Sequence, residues 1–252
     1  MPYGKPPRPL ERGRSNRFLA ALPPHNFALL TPHLRTVTLE RDMILHDAGD
    51  EIERVYFPHS GMVSLVAVMQ SGAGVETATI GRAGVIGATT GLGVKYSSAR
   101  VIVQLPGTAA WLSASQFHAA ANWSQAIRDL IVHYSGMLLA QVQQSVACNV
   151  LHTMEARLCR WLLQAHDCMD GNDIPLTQEF LGQMLGVRRT TVNCCRARAS
   201  SGTGAAIYKS WIARRSRNSP VSATPLYGVT RTGFFRPQRA FNRNDSAYAG
   251  LS

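Results

Sequence analysis

The stretch that most constrains this 252-residue chain is Pro175–Val192, which reads Pro-Leu-Thr-Gln-Glu-Phe-Leu-Gly-Gln-Met-Leu-Gly-Val-Arg-Arg-Thr-Thr-Val. Thr177 suits an N-cap, because its hydroxyl can accept a hydrogen bond from an orphan amide of the first turn. Phe180, Leu181, Met184 and Leu185 recur at helical spacing and give that helix one apolar face. Gly186 falls where the helix should end, since glycine turns there without steric cost. Val187 plugs the corner. Arg188, Arg189, Thr190, Thr191 and Asn193 then open a second helix with donors on its outer face, while Val192 points back at the first. Two short helices joined by a glycine turn, the second with a basic, hydroxyl-rich start, make a helix-turn-helix pattern. Arginine can fork onto guanine edges or grip phosphate, and threonine can bond phosphate or touch a thymine methyl. These five residues are therefore candidate major-groove contacts. Thr177 and Gln178, at the start of the first helix, are candidate phosphate contacts, because a helix N-terminus favours anions. The bland alternative is an ordinary helical hairpin with a solvated charged face.

The net charge of +11 looks like support for a nucleic-acid partner, but its location matters. From Asn193 to Ser252 there are ten Lys+Arg and one acidic residue, leaving 16 basic and 14 acidic groups in residues 1–192. The basic excess therefore lies in the tail, and the rest of the chain is close to neutral. Five cysteines, Cys148, Cys159, Cys168, Cys194 and Cys195, form no Cys-x-x-Cys pair and read as reduced thiols rather than a metal or iron–sulfur site. No apolar run resembles a secretory leader or a membrane span, so a cytoplasmic protein without membrane association is expected.

Residues 1–14 carry four prolines, three arginines and a lysine, and the first 15 are expected to be disordered. Asn16–Leu22 and Phe27–Leu30 read as short helices broken by Pro23-Pro24. Alternation then takes over in Arg35–Glu40, Arg54–Phe57, Gly61–Val68, Val75–Ile80, Arg100–Leu105 and Thr108–Leu112, punctuated by glycine-rich turns. Many short strands with regular turn signals mean an antiparallel sandwich or barrel. From Ser113 the pattern is helical. Ile127, Leu130, Ile131, Tyr134, Leu138, Val142 and Val146 form a stripe at three-to-four spacing across Ser124–Val150. Such a seam can bury itself against its own domain or against a twin helix; the compact sheet domain ahead of it favours the twin, with Ile127, Leu130, Ile131, Tyr134, Leu138 and Val142 as a dimer interface. Thr153–Met169 reads as a further helix with Met154, Leu158, Trp161 and Leu162 inward.

This order of parts resembles the cyclic-AMP-receptor/fumarate-nitrate-regulator (Crp/Fnr) family of bacterial transcription factors. The likeness is carried by Ile44-Leu-His-Asp-Ala-Gly-Asp50, Val55-Tyr-Phe57 with Ser60-Gly61, Gly84-Val-Ile-Gly87 and Leu176–Val192, and covers roughly Asn16 to Val192. It implies an α+β fold: an N-terminal antiparallel β-roll like the cyclic-nucleotide-binding jelly roll, a long dimerisation helix, and a C-terminal helix-turn-helix with an incomplete wing. The expected divisions are a roll over 16–123, the dimerisation helix over 124–150, a DNA-binding domain over 151–195 and a basic, disordered tail over 196–252. The implied partners are double-stranded DNA and a second copy of the chain, with RNA polymerase a further candidate; no cofactor is implied, and the effector is unknown.

Three departures from the family pattern bear on mechanism. Cyclic-nucleotide binders of the family place a glutamate for the ribose after the Gly-x-x-Gly turn, where this chain has Ala88 following Gly84 and Gly87. They place an arginine for the cyclic phosphate before a Ser-Ala pair, where this chain has Ser97 before Ser98-Ala99. An anion without its charged partner loses a bond of about 1.5–3 kcal/mol, so cyclic AMP is not the expected effector of a pocket at Gly84, Gly87, Ala88, Ser97 and Ser98. Iron–sulfur members carry an N-terminal cysteine cluster, and here no cysteine precedes Cys148. Beyond Asn193 the sequence becomes rich in Ser, Arg, Gly and Pro where a wing would follow. Two readings stay open there: a functional basic tail, or a reading-frame slip near Asn193, which the abrupt change of composition favours.

The leading expectation is thus a dimeric, sequence-specific transcription regulator. Its alternative is a ligand-binding β-roll acting through protein–protein contacts, with a defective DNA-binding domain. A cupin-like metalloenzyme is a third reading, opposed by the scatter of the eight histidines, of which only His46 and His59 fall among the strands; surface or interface positions are expected for them. No catalytic constellation is legible and no metal site is expected.

Overall fold

The computed structural model describes residues 15–152, the helical positions Arg157, Arg160, Trp161, Gln164, Ala165, Asp167 and Cys168, and the strands Tyr227–Val229 and Phe235–Pro237. The chain enters through α1 (Arg17–Ala20), capped by Asn16, whose side chain accepts from the Leu19 amide at 3.1 Å. The same buried side chain donates to the carbonyls of Pro58 and Gly84, each at 2.9 Å, which fixes the entry of the chain against the strands. Pro24 opens α2 (Pro24–Leu30) at the position where a missing amide costs nothing.

Seven strands follow: β1 (Arg35–Leu39), β2 (Ile44–His46), β3 (Arg54–Pro58), β4 (Met62–Val68), β5 (Gly74–Ile80), β6 (Arg100–Leu105) and β7 (Gly107–Ser113). They form two antiparallel sheets, ordered β1-β7-β3 and β2-β6-β4-β5. The period-two pattern of β3 and β7 explains how the layers stack. Val55, Phe57, Ala110 and Leu112 face the helices, where they meet Phe18, Leu19, Phe27, Leu30 and Phe117. Tyr56, Ala109 and Trp111 face the interior of the roll, where Leu39, Val63, Ile80, Val101 and Val103 come from the remaining strands. The expected strands all form. β2 was not anticipated, and its three residues are too few for alternation to show.

Between β5 and β6 the chain makes a 3-10 turn over Ala88–Leu92, entered through Gly87 in the left-handed conformation (φ 78°). After β7, Ser113 and Gln116 close a reciprocal capping box at the start of α3 (Ala114–Trp123). Ser124 then caps α4 (Gln125–Leu151), accepting from the Ile127 amide, and also accepts 2.6 Å from the Asn26 side chain. The fold is α+β, an antiparallel roll with helices laid on one sheet. In the stretch expected to lack elements, Tyr227–Val229 pairs antiparallel with Phe235–Pro237, correcting the expectation that the tail over 196–252 is unstructured throughout. The connecting five residues include Gly233, an ordinary hairpin signal. No described helix is long and apolar enough to cross a membrane.

Candidate functional sites

The positions read as DNA contacts, Thr177, Gln178, Arg188, Arg189, Thr190, Thr191 and Asn193, lie outside the described residues, as do Met154, Leu158 and Leu162 of the helix expected before them. Of that helix, Trp161 is buried as anticipated. What the structure does show is how the chain approaches the helix-turn-helix region. α4 ends at His152, whose extended backbone (φ −103°, ψ 148°) turns the chain out of the helix. The helical residues beyond it touch the roll. The Cys168 carbonyl accepts from the Gly61 amide at 3.1 Å and from the Arg82 guanidinium at 3.3 Å. Burial pushes the Cys168 thiol up to about 11, so it is a neutral group filling space beside Gly81, where any side chain would collide with it.

The effector positions divide into two groups along one border. Gly87 lies against the entry to β3, so close that a Cβ would stand 3.1 Å from Ile52 and 3.2 Å from the Arg54 carbonyl. Ala88 is buried beyond it and offers no carboxylate. Ser97, just before β6, lies against the turn that precedes β3: its amide donates to the Asp50 carbonyl at 2.9 Å and its carbonyl accepts from the Gly49 amide at 2.8 Å. The Ser97 hydroxyl is used locally, donating 2.7 Å to the Ala99 carbonyl, and Ser98 is exposed. Gly84 is a packing position, because a Cβ there would meet the Tyr134 hydroxyl at 2.7 Å. The cation next in sequence, Arg100, forks onto Asp47, with Nε 3.0 Å from Oδ1 and Nη2 2.8 Å from Oδ2. That bond holds the Asp47 carboxyl below the usual carboxylate range. Sequence reasoning missed this pair, whose members are 53 positions apart.

The expected dimer interface requires correction. Ile127, Ile131 and Tyr134 are 0%, 0% and 5% exposed within their own chain, packed with Phe18, Phe117 and Val85. Leu130 leans on the same core, Leu138 packs on the interior of the roll, and Val142 is half-buried. From Ile127 to Leu138 the stripe is therefore an intrachain face, whereas Val146 at its far end is exposed. Small residues on the roll admit it: Gly84 gives way to Tyr134, and Gly91 to Ile131 and Phe117. Burial pushes the Tyr134 hydroxyl well above its ordinary range. The opposite face of α4 carries Val132, Gly136, Leu139, Gln143, Val146 and Val150, at alternating steps of four and three. Val132, Leu139, Val146 and Val150 are 55%, 58%, 59% and 76% exposed, and a Cβ on Gly136 would meet nothing. This is the a/d spacing of a two-stranded coiled coil.

His46 also departs from expectation. It is buried at 7% exposure beside the Tyr56 ring, 5.9 Å between centroids, and burial lowers its pKa. His59 is half-buried, with Nδ1 2.7 Å from the Ser15 hydroxyl.

Residues 156–195 match the family of Crp-like helix-turn-helix domains. No curated protein matches the chain. Among solved structures, the chain is similar to FixK2 from Bradyrhizobium japonicum, at 14% identity and a TM-score of 0.57, over 68% of this chain and 89% of that one. It is similar to the c-di-GMP-responsive global regulator CLP of Xanthomonas campestris, at 12% identity and a TM-score of 0.54, over 69% and 90%. A Eubacterium rectale protein assigned to the crp/fnr family aligns at 14% identity and a TM-score of 0.54, over 71% and 84%. The chain thus shares the fold of Crp/Fnr regulators and carries a Crp-like helix-turn-helix domain at 156–195.

Proposed function

We propose that this chain is a Crp/Fnr-type transcription regulator that binds operator DNA as a dimer and is not controlled by cyclic AMP. The observation that carries the reading is the Crp-like helix-turn-helix match at 156–195, directly after a helix whose outer face is an unburied heptad seam. Two copies joined along Val132, Leu139, Val146 and Val150 hold two DNA-binding units at one fixed spacing, which is how such dimers read paired half-sites. Arg188, Arg189, Thr190, Thr191 and Asn193 then read bases, and Thr177 and Gln178 grip phosphate. Against cyclic AMP, Ala88 offers the ribose no acceptor, Ser97 offers no cation, and Arg100 is already committed to Asp47.

The test is a gel-shift series with genomic fragments against random competitor DNA. The basic tail should make binding tight and indiscriminate at low salt, weakening steeply as salt rises. A chain that prefers no fragment over competitor at any salt would overturn the reading. Calorimetry with cyclic AMP should show no heat of binding, and micromolar affinity would show that Ala88 and Ser97 are misassigned.

A further inference from the structure

Gly81 follows β5, and nothing within the roll asks for a glycine there. Its φ lies outside the left-handed region, and the roll atom nearest to a Cβ built on it is the Gly61 carbonyl oxygen at 3.6 Å, an ordinary contact. The space is taken by Cys168, from beyond the turn at His152. A Cβ on Gly81 would overlap the Cys168 Sγ and stand 3.1 Å from the Cys168 Cβ. Beside that notch the Cys168 carbonyl accepts from the Gly61 amide at 3.1 Å and from the Arg82 guanidinium, Nη2 at 3.3 Å. Both donors are held by the roll. Gly61 is left-handed (φ 84°) and pressed against the Leu105 carbonyl, and the Arg82 carbonyl accepts from the Arg17 amide at 2.8 Å. Trp161, Ala165 and Cys168 recur at steps of four and three, one face of a helix, and Trp161 and Ala165 are buried. A separate tie runs to α4, from Arg160 Nη2 to Ser145 Oγ at 3.3 Å.

We propose that the corner formed by Gly61, Gly81 and Arg82 is a seat for Cys168 that fixes residues 157–168 on the roll and thereby orients the helix-turn-helix unit that follows. The proposal deepens the DNA-binding reading and rests on it. Backbone continuity does not supply that orientation, because α4 ends at the extended residue His152. A dimer seam along α4 fixes the two α4 helices, not what comes after them. Paired half-sites are read together only when each unit is held relative to that seam. A unit tethered by its linker alone must be ordered at the moment of binding, which weakens binding to a paired site. A single half-site makes no such demand.

Amide hydrogen exchange in the full-length chain tests the seat by steric complementation. Gly81→Ala puts a methyl group against the Cys168 Sγ and should lower protection over 157–168 about tenfold or more, leaving β6 and β7 at wild-type protection. Adding Cys168→Ala removes the Sγ and leaves the new Cβ facing only the Cys168 Cβ at 3.1 Å, so most of the protection should return. If glycine is needed by the roll itself, the loss will reach β6 and β7 and persist in the double variant, which overturns the seat. Should Gly81→Ala fail to fold, Arg82→Ala adds no bulk and removes one donor to the Cys168 carbonyl. It should lower protection over 157–168 several-fold, and unchanged protection would overturn the seat.

Gel shifts on the same samples use the genomic fragment that the wild type prefers and that fragment with one half scrambled. Gly81→Ala should lose most of the wild-type preference for the intact fragment, and the double variant should regain it. An opened seat with the preference retained would overturn the orienting role. Exchange profiles as expected, with no duplex binding by any chain including wild type, would support the seat and overturn the DNA-binding assignment.

Discussion

The two long faces of α4 are made of similar residues and have opposite surroundings. The inner face presents Ile127, Ile131 and Tyr134 to the roll, and almost nothing of them remains exposed. The outer face presents Val132, Leu139, Val146 and Val150, each more than half exposed in the single chain. Composition does not separate the faces. What separates them is the partner surface: Gly84 and Gly91 leave hollows that only the inner face can fill. The outer face follows the four-three rhythm of a coiled coil, with Gly136 allowing close approach and Gln143 as its one polar member. An apolar stripe on a helix reports that something will be covered, but not by what.

The largest expected effect breaks the outer face. Leu139→Glu with Val146→Glu should convert a dimer to a monomer, removing about 1.5–3 kcal/mol of burial per side chain before charge repulsion is added. Sedimentation should show the change while circular dichroism stays that of a folded chain. A variant that remains dimeric would move the interface elsewhere. Breaking the inner face should do the reverse. Ile131→Ala opens a cavity in a fully packed core and should cost about 2–5 kcal/mol in denaturant unfolding. Unfolding at the wild-type midpoint would mean that the roll does not grip this face.

Much of the roll was legible because alternation and glycine turns are local signals. Six strands and four helical stretches follow from spacing alone, and β2 escaped because Ile44-Leu-His46 is too short to show a period. The capping signals were equally local. Contacts that join distant parts were not legible. Arg100 and Asp47 are ordinary surface charges in sequence, and Glu76 reads as one polar residue in an alternating strand until the buried Ser64 hydroxyl is found donating to it. The dimer stripe was misassigned for a related reason, since a period of 3.6 gives the direction of a face and not its neighbour. The helix-turn-helix was legible from its turn chemistry, and the match at 156–195 supports that reading independently.

A smaller effect is expected where the outer seam meets the DNA reading. Arg189→Ala should weaken operator binding by about 1–3 kcal/mol and relax one base position if the guanidinium forks onto guanine. The dimer should be untouched, because residue 189 lies beyond the seam. Equal weakening on all duplexes, with a shallower salt slope, would make Arg189 a phosphate contact instead.

The smallest effect concerns Gln143, at an a/d position of the outer face between Leu139 and Val146. A lone polar residue at such a position lowers the stability of a coiled coil and fixes its register, because it pairs well only with its own copy across the seam. Gln143→Leu should therefore tighten the dimer by roughly 1 kcal/mol through added burial. It should also weaken discrimination between correctly spaced and misspaced half-sites, because alternative registers become cheaper. Sedimentation equilibrium measures the first consequence and gel shifts on operators with altered half-site spacing measure the second. A tighter dimer with unchanged spacing preference would show that register is set by the roll contacts at the N-terminal end of α4. A weaker dimer would show that Gln143 makes hydrogen bonds across the seam worth more than leucine burial, and the polar position would then be part of what holds the two copies together.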